Sequence, residues 1–518
     1  MVNGIRPWVA LLAFPLLMSC AALPPRPGEP PTFAIAAGAE TRLQRVAVES
    51  TRGFTESGFQ LLPVATGALE ARLALAARAD KSLDLQYFEW NGDDSGRYLL
   101  AALGSAAERG VRVRLLVDDL HSDGAEVLLS GLAAFDNVQV RLFNPFVRWR
   151  GSHLAKLLSS LDDLGRVNHR MHNKMFVADN AFAIFGGRNI GDAYFMRSAV
   201  RNFVDLDMLA AGPLVQTLSA SFDSYWNSDF SYPIDSVIPV AAGRAQRQAD
   251  FRAALAGASP PPPDLTVPRR YAPYVKVAAD LDAGHLPLVQ AHAELRVDPV
   301  DKTAGTRLVD RAGTVRAFVG EFTRTVRSEM VGVSPYLVPG PLGMQAIEGM
   351  RRRGVRVRVL TNSLAATDEP VVYGGYERYV VPMLRLGVEI HELSPSLVRQ
   401  QARLGRFGDS LGMLHAKIIV VDRARVFISS LNFDGRSERY NTELGVLIDS
   451  AEIAEDLLDM LDFAGSSYRL RLTADGERIE WVSGSGDQER VHEREPEAGA
   501  WSQFKARFLG KLLPENWL

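Results

Sequence analysis

One short pattern occurs twice in this chain of 518 residues, and it constrains the architecture more than any other feature. The first copy runs from His172 to Asp179 and the second from His415 to Asp422, and both have the form His-x-Lys-x(4)-Asp. The two copies begin 243 residues apart (415 minus 172). A duplicated His and Lys set predicts two half-sites that face each other across one cleft, an arrangement that suits chemistry on a phosphodiester.

Each copy is followed by a small-residue turn with an asparagine and then by an acid. Asn189 and Asn432 are again 243 residues apart (432 minus 189), and Asp205 and Glu443 follow them by 16 and 11 residues. A carboxylate hydrogen-bonded to each histidine would fix its tautomer and raise its basicity. The candidate site residues are catalytic His172, Lys174, His415 and Lys417, phosphate-binding Asn189 and Asn432, and histidine-orienting Asp205 and Glu443.

These residue types match what cleavage of a phosphodiester requires. One histidine can attack phosphorus, while the other protonates the departing alcohol and then deprotonates the incoming one. The lysines and the asparagine amides can hold the non-bridging oxygens. We expect no metal and no other cofactor, because a charged lysine beside each histidine opposes a bound cation. The two halves are nearly equivalent, so the residues alone leave open which histidine is the nucleophile.

The two motif aspartates are predicted to be structural rather than catalytic. In a strand, residues two apart point the same way, so His172 and Lys174 would share one face at the start of the apolar run after them. Asp179 is seven residues beyond His172, which puts it on the opposite face and at the far end. We expect Asp179 and Asp422 to hold turns or neighbouring backbone.

The wider sequence predicts alternating helices and strands that are themselves repeated. Apolar periodicity indicates helices over 66–79 and 97–109 and strands over 82–90 and 111–117. The sequence from Arg109, Arg-Gly-Val-Arg-Val-Arg-Leu-Leu, returns almost unchanged from Arg353, 244 residues later (353 minus 109). The repeat therefore covers whole helix-strand units, which predicts two similar α/β lobes in a pseudo-two-fold arrangement rather than a solenoid.

The expected domain boundaries follow from composition. Lobes are predicted over 58–258 and 286–475, with a linker over 259–285 that contains four consecutive prolines from Pro260 to Pro263. Residues 476–518 form a polar linker and an amphipathic segment, in which Trp501, Phe504 and Phe508 recur at helical spacing. Two interpretations of that segment stay open: a helix in a membrane interface, or a final helix docked on the core.

The N-terminus predicts export. Arg6 precedes a short apolar run that ends before Cys20, the only cysteine of the chain. This resembles a bacterial lipoprotein signal, with a signal peptide over 1–19, lipidated Cys20 and a proline-rich tether over 20–57; an ordinary signal peptide and a helical anchor are the alternatives. We expect a lipid-anchored protein of the bacterial cell envelope, at the periplasmic face of the outer membrane. A net charge of −3 gives no indication of nucleic-acid binding.

The duplicated motifs resemble those of the phospholipase D superfamily, over about Gly58 to Leu470. The runs 168–179 and 186–195, together with Tyr87-Phe88-Glu89-Trp90, resemble its bacterial cardiolipin synthase C-type branch. The resemblance implies two phospholipase D-like α-β-α lobes with a single active site at their interface. The first half has Gly187 where the superfamily usually has serine, and a presumed lipoprotein signal replaces the membrane spans of the major bacterial cardiolipin synthases.

The resemblance also implies a reaction and its partners. A phosphatidyl group would be carried by His172, with His415 as acid and base, and passed to the headgroup of phosphatidylglycerol to give cardiolipin. The expected partners are phospholipids (phosphatidylglycerol, with phosphatidylethanolamine as an alternative donor) and a membrane surface, but no nucleic acid. Three alternatives stay open: hydrolysis to phosphatidic acid, a nuclease-like phosphodiesterase, and an inactive envelope scaffold. The sequence is silent on oligomeric state and on the need for a partner protein.

Overall fold

The computed structural model describes residues 23, 28–122, 124–146, 156, 163–258, 272, 274–304, 313–400, 407–461, 463–484 and 486–509. The predicted signal peptide and Cys20 lie outside the described residues, and so do residues 21, 22 and 24–27 of the predicted tether. The four-proline run and the end of the chain from residue 510 lie outside them too.

The first half of the chain alternates helices and strands as its periodicity predicts. Its helices are α1 (Arg42–Ser50), α2 (Ala65–Arg78), α3 (Asp94–Glu108), α4 (Glu126–Leu132), α5 (Leu164–Val167), α6 (Pro213–Trp226), α7 (Ile234–Val237) and α8 (Arg244–Leu255). Its strands are β1 (Ser57–Leu62), β2 (Ser82–Glu89), β3 (Arg112–His121), β4 (Val138–Phe143), β5 (Arg170–Met171), β6 (Met175–Ala178), β7 (Phe182–Gly186), β8 (Arg201–Val204), β9 (Asp207–Ala211) and β10 (Ser231–Pro233). A 3₁₀ turn covers Asp192–Phe195.

The second half repeats this order. Its helices are α9 (Val277–Ala283), α10 (Val315–Arg324), α11 (Gly340–Arg352), α12 (Pro370–Arg385), α13 (Pro395–Arg399), α14 (Gly435–Arg439), α15 (Ala451–Met460), α16 (Phe463–Ser466) and α17 (Ala500–Phe504). Its strands are β11 (Val289–Val297), β12 (Glu329–Val333), β13 (Arg356–Asn362), β14 (Glu389–Leu393), β15 (Leu411–Leu414), β16 (Ile418–Val421), β17 (Arg425–Ser429), β18 (Asn441–Thr442), β19 (Leu444–Asp449), β20 (Ser467–Leu472), β21 (Ile479–Ser483) and β22 (Arg490–His492).

Local sequence explains where the early elements begin and end. Asp93 caps α3, because its side chain accepts a hydrogen bond from the backbone N–H of Gly96. Gly110 follows the same helix with a φ of 91°, a conformation that glycine adopts without a steric penalty. The buried residues of α2 are mostly alanine and leucine, which lets this helix lie close to its neighbours.

The strand pairings show the internal symmetry. In the first half, β2 lies parallel to β3 and antiparallel to β6, and β6, β7, β9 and β1 follow in antiparallel order. In the second half, β12 lies parallel to β13 and antiparallel to β16, followed by β17, β19 and β11. The two sheets meet where β1 pairs with β11 over Ser57–Phe59 and Val289–Ala291. This confirms the predicted α/β class with two similar lobes.

Three groups of buried side chains show where the helices pack. One lies between the first sheet and helices such as α2 and α3, and another between the second sheet and helices α10 to α12. The third contains Phe59 and Trp226 from the first half and Val333 and Ile418 from the second, so it spans both lobes. The lobes are therefore joined by a shared apolar core as well as by strand pairing.

The amphipathic segment at the end of the described chain docks on the second lobe and leaves its aromatic side chains exposed. Ala506 is fully buried against the second lobe, so this segment docks on the core. Trp501, Phe504 and Phe508 nevertheless remain 66%, 48% and 53% exposed, and their rings stack in sequence. In the part of the chain that the structure describes, no helix is both long and apolar enough to cross a membrane.

Candidate active site

Two short strand pairs between the lobes bring the histidine motifs together. Strand β5 pairs with β18, and the backbone N–H of His172 donates to the carbonyl of Thr442 at 2.9 Å. Strand β8 pairs with β15, and the N–H of His415 donates to the carbonyl of Val204 at 2.8 Å. Since Glu443 follows Thr442 and Asp205 follows Val204, each histidine lies beside the acid of the other lobe.

The two histidine–acid pairs are crossed. Nδ1 of His172 lies 2.9 Å from Oε2 of Glu443, and Nδ1 of His415 lies 2.6 Å from Oδ2 of Asp205. In the tautomer that such a contact favours, Nδ1 carries the proton and Nε2 keeps its lone pair. The sequence singled out both acids but did not pair them with particular histidines. The crossing means that neither lobe alone carries a complete histidine–acid pair.

Both motif lysines are buried and tied to their own motif. Nζ of Lys174 donates to the carbonyl of His172 at 2.7 Å, and Nζ of Lys417 donates to the carbonyl of His415 and lies 3.0 Å from its Nδ1. An ammonium has three N–H donors, so each lysine keeps at least one for an anionic oxygen. Strand β6 begins only at Met175, so His172 and Lys174 precede the strand in which we expected them.

The site concentrates positive charge away from water. Burial, followed by repulsion from Lys417, lowers the pKa of Lys174 to about 7, and burial lowers that of Lys417 to about 8. Burial and the neighbouring lysines hold the pKa of His172 well below its ordinary value, and burial and Lys417 lower that of His415. A bound anion would relieve this repulsion. Among the described residues, no group of three His, Cys, Asp or Glu side chains is placed to hold a metal ion.

The two orienting acids differ in charge state. Burial raises the pKa of Glu443 to about 7. Burial also acts to raise the pKa of Asp205, but the charge and hydrogen bond of His415, together with Lys417, bring it down to about 2. At neutral pH Asp205 is therefore fully ionised, whereas Glu443 is partly protonated. The pair at His415 is the better placed to stabilise an imidazolium.

The turn residues that precede the asparagines also differ between the two half-sites. Gly187 lies so close to Asp205 that a Cβ there would meet Oδ1 at 2.1 Å. At the corresponding position of the other lobe, Ser430 donates its hydroxyl to Glu443 Oε2 and accepts the N–H of Leu444 at 2.9 Å. The serine that the first half lacks is thus a partner of the orienting acid in the second half, and Gly187 makes room for the shorter acid.

The two asparagines are not equivalent. Nδ2 of Asn189 donates to Oη of Tyr194 at 3.0 Å, and its Oδ1 accepts the N–H of Glu89 at 3.2 Å. Asn432 is buried, and its Oδ1 has no hydrogen-bond partner within the described ranges. Asn189 is therefore held by the first lobe, whereas Asn432 has an unused acceptor.

Sequence reasoning assigned no role to the residues that enclose the histidines. The ring of Phe88 meets that of His172 edge-on at 4.9 Å, and the ring of His415 lies 5.2 Å from Tyr194 and 5.0 Å from Phe203. Glu89 accepts the Tyr194 hydroxyl at 2.7 Å, and burial raises the pKa of this glutamate. The available signal was position: Phe88 and Glu89 end β2, which pairs with β6 inside the first motif.

The two motif aspartates lie in turns and bind backbone amides. Asp179 Oδ1 accepts the N–H groups of Lys81 at 2.7 Å and Ser82 at 3.0 Å. Asp422 Oδ1 accepts those of Ser328 at 2.7 Å and Glu329 at 3.1 Å. Each aspartate has a positive φ, 50° and 52°, in the turn that follows β6 or β16. Each aspartate therefore ties that turn to the start of β2 or β12. It lies at the far end of a four-residue strand from the histidine and lysine of its motif.

Comparisons with known proteins point to one family. A family model described as "Cardiolipin synthase, PLD-like domain" matches residues 73–226 and 325–462. Cardiolipin synthase C of Escherichia coli (strain K12) is 37% identical over 465 residues, which cover 87% of this chain and 94% of that protein. Cardiolipin synthase A of Pseudomonas fluorescens is 24% identical over 410 residues, 78% of this chain and 68% of that one.

A solved structure shows the same fold at low sequence identity. Phosphatidylserine synthase of Haemophilus influenzae Rd KW20 superposes with a TM-score of 0.53 and 14% identity, and the match covers 91% of this chain and 96% of that chain. The two phospholipase D-like segments therefore share one overall arrangement with that protein.

Proposed function

Because this chain belongs to the cardiolipin synthase family with phospholipase D-like domains, we propose that it transfers a phosphatidyl group to phosphatidylglycerol and forms cardiolipin. The observation that carries the proposal is the pair of crossed contacts, His172 to Glu443 and His415 to Asp205. They supply two oriented imidazoles beside two lysines, which is the set that double displacement at a phosphodiester requires.

In the first step Nε2 of His172 attacks phosphorus of the donor lipid and a P–N bond forms. The bond from phosphorus to the headgroup oxygen breaks, and His415, protonated at this stage, gives its proton to that oxygen. The negative phosphodiester lies among the site's cations, which offsets the repulsion that lowers the pKa of His415. Ionised Asp205 then stabilises the imidazolium that this step needs.

In the second step the neutral His415 takes the proton from a glycerol hydroxyl of phosphatidylglycerol. The resulting oxygen attacks phosphorus, the P–N bond breaks, and His172 leaves as a neutral imidazole. The free N–H groups of Lys174 and Lys417 hold the non-bridging oxygens, where charge grows in the transition state. The Asn189 and Asn432 amides are assigned the same task.

The difference between the acids supports His172 as the nucleophile. A nucleophilic imidazole must be neutral, and the pKa of His172 lies well below its ordinary value. Its partner Glu443 has a pKa of about 7, so it stabilises a positive charge on His172 less strongly than Asp205 does on His415. This assignment makes His415 the acid and base.

The proposal includes the membrane as the source of both lipids. Trp501, Phe504 and Phe508 form an exposed aromatic row, and the ammonium of Lys505 lies 5.4 Å from the Trp501 ring. Aromatic and basic side chains together favour an interface with anionic lipids. A lipid on Cys20 would hold the same protein at the envelope membrane, and the donor is phosphatidylglycerol or phosphatidylethanolamine.

Product analysis by mass spectrometry tests the proposal. Full-length protein would be given phosphatidylglycerol vesicles with and without phosphatidylethanolamine, in EDTA, beside His172→Ala. His292→Ala is a matched control, because His292 is about half exposed and lies on β11. We expect cardiolipin from the wild type and from the control, and none from His172→Ala.

Each other product pattern would change the assignment. Phosphatidic acid without cardiolipin would make the protein a phospholipid hydrolase, with water as the acceptor. Cardiolipin formation that survives His172→Ala would remove this histidine from the mechanism. A dependence on phosphatidylethanolamine would identify that lipid as the donor.

A further inference from the structure

A cavity of about 810 Å³ lies inside the second lobe, between helices α10 and α11 and the strands that they cover. Its volume falls within the roughly 300–1,000 Å³ range of sites for organic ligands. His172 and His415 are not among its described lining residues, so the cavity is separate from the catalytic groups. It needs its own explanation.

The floor of the cavity is apolar. Its buried apolar wall includes Val319, Met330, Leu337, Ile347, Met350 and Ile419. The cavity opens to solvent on one side, where Leu342 is 65% exposed. Gly320 lines it from α10, and a Cβ built there would meet no atom within 4 Å. The helix thus leaves this space open.

One end of the cavity lies beside the first catalytic motif. His169 and Tyr440 line this end, and their rings are 5.3 Å apart. His169 precedes His172 by three residues, a span of at most about 11 Å even when fully extended. The headgroup of a lipid that reaches this end can therefore approach the proposed nucleophile.

Hydrogen bonds connect the same end of the cavity to Glu443, the acid that orients His172. Lys302 lines the cavity, and its ammonium donates to Asp298 Oδ2 at 2.6 Å. The N–H of Asp298 donates to the carbonyl of Glu443 at 2.9 Å, and the N–H of Glu443 donates back to Asp298 Oδ2 at 3.1 Å. These contacts join the cavity wall to the catalytic site through buried groups.

Arg316 gives this cavity a cation whose favourable neighbours, Glu438 and Asp434, lie beyond ion-pair distance. Its guanidinium donates to the carbonyl of Pro339 at 3.3 Å. Burial lowers its pKa, so an anion placed nearby would be favourable. The described lining contains five basic side chains (Lys302, Arg316, Arg324, Arg353 and Arg439) and two acidic ones (Glu321 and Glu438).

We propose that this cavity binds an acyl chain of an anionic phospholipid. The chain lies between α10 and α11, and the phosphate end points toward Arg316, His169 and the cleft. Apolar walls fit a hydrocarbon and the excess of basic groups fits an anionic head, a combination typical of amphiphile sites. The identity of the lipid rests on the proposed function, whereas the binding of an acyl chain does not.

Photo-crosslinking tests the site directly. The probe is phosphatidylglycerol with a diazirine at the end of one acyl chain, added in detergent micelles to full-length protein, and the labelled peptides are mapped by mass spectrometry. A free fatty acid with the same diazirine forms a second arm. We expect the phospholipid probe to label residues within 315–324 and 340–352.

Gly320→Leu should fill the cavity. We expect labelling to fall on the order of tenfold, because overpacking a binding cavity excludes the ligand. Leucine favours a helix more than glycine does, so α10 should be retained. Ala253→Leu, at an exposed position of α8, adds the same side chain outside the cavity and should leave labelling unchanged.

The outcomes separate this inference from the proposed function, since crosslinking needs no turnover. Labelling confined to the cleft or to other surfaces overturns the inference, and so does labelling by the fatty acid alone. Absence of labelling overturns it too, provided that the probe labels a membrane peptide under the same irradiation. Cavity labelling by a protein that makes no cardiolipin would leave the inference standing and refute the proposed function.

Discussion

At the residue scale, the site is two similar half-sites with unequal acids. His172 meets Glu443, whose pKa lies near 7, while His415 meets Asp205, whose pKa lies near 2. The sequence predicted all of these residues, because the motif, the asparagine and the acid recur in both halves. It could not predict the crossing, since two acids at similar distances from two histidines allow either pairing.

Replacing the acids should affect catalysis unequally. Asp205→Asn removes a full negative charge from beside His415, and we expect kcat to fall about 10²–10⁴-fold, the size of a general acid–base contribution. Glu443→Gln replaces a group that is partly neutral at pH 7, so the loss should be smaller. The measurement is kcat for cardiolipin formation, with circular dichroism as a check on folding. Equal losses would contradict the assignment of His415 as acid and base.

The pKa values of the two lysines predict that kcat/KM falls as the pH becomes alkaline. In the free protein the pKa of Lys174 is about 7 and that of Lys417 about 8, so raising the pH removes the charges that hold the phosphodiester. Since kcat/KM reports groups of the free enzyme, it should decrease as pH rises through this range. Lys417→Arg, which keeps its charge, should retain more of its pH 7 rate at pH 9 than the wild type does. A flat profile from pH 7 to 9 would refute this role.

At the element scale, periodicity predicted most of the early structure. Helices expected over 66–79 and 97–109 occur at Ala65–Arg78 and Asp94–Glu108, because apolar spacing and glycine stops are local signals. The pairings of β5 with β18 and of β8 with β15 were not predicted. They join strands of two to four residues more than 200 positions apart, and such short segments carry no pattern of their own.

Each motif aspartate connects a turn to the start of a strand, so its replacement should reduce the free energy of unfolding. Asp179→Ala leaves the backbone N–H of Ser82, which is buried, and that of Lys81, which is partly buried, without an acceptor at the start of β2. We expect a loss of about 2–4 kcal/mol in the free energy of unfolding. Asp422 is less deeply buried, and water can replace its oxygens, so Asp422→Ala should cost less. Urea denaturation measures both values. A fully stable Asp179→Ala variant that is catalytically dead would show instead that this aspartate acts in the chemistry.

At the scale of the whole molecule, the duplication explains the shared core and the crossed site together. Strand β1 pairs with β11, and the buried cluster around Phe59 and Val333 spans both lobes. The sequence predicted two lobes and one cleft, but not the apolar cavity of the second lobe. A cavity depends on how side chains from distant parts of the chain pack together, so no sequence motif predicts it.

The proposed attachment to a membrane would also depend on the whole molecule. Replacing Trp501, Phe504 and Phe508 together with alanine removes the exposed aromatic row, and binding to phosphatidylglycerol vesicles should weaken about tenfold or more. Vesicle sedimentation of protein that lacks the predicted lipid on Cys20 measures this. Phe33→Ala, which changes an aromatic residue that is 60% exposed elsewhere, is the matched control and should bind normally. Unchanged binding of the triple variant would show that the aromatic row does not contribute to membrane binding.

The central claim is that one site, built from both lobes, works through a phosphatidyl group carried on His172. The most direct test is to quench the reaction with phosphatidylglycerol within milliseconds to seconds and to map the modified peptide by mass spectrometry at alkaline pH, where phosphohistidine survives. We predict a phosphatidyl adduct on His172, and its accumulation in His415→Ala when the donor carries a leaving group that needs no proton. An adduct on His415, or cardiolipin formation without any histidine adduct, would contradict the account.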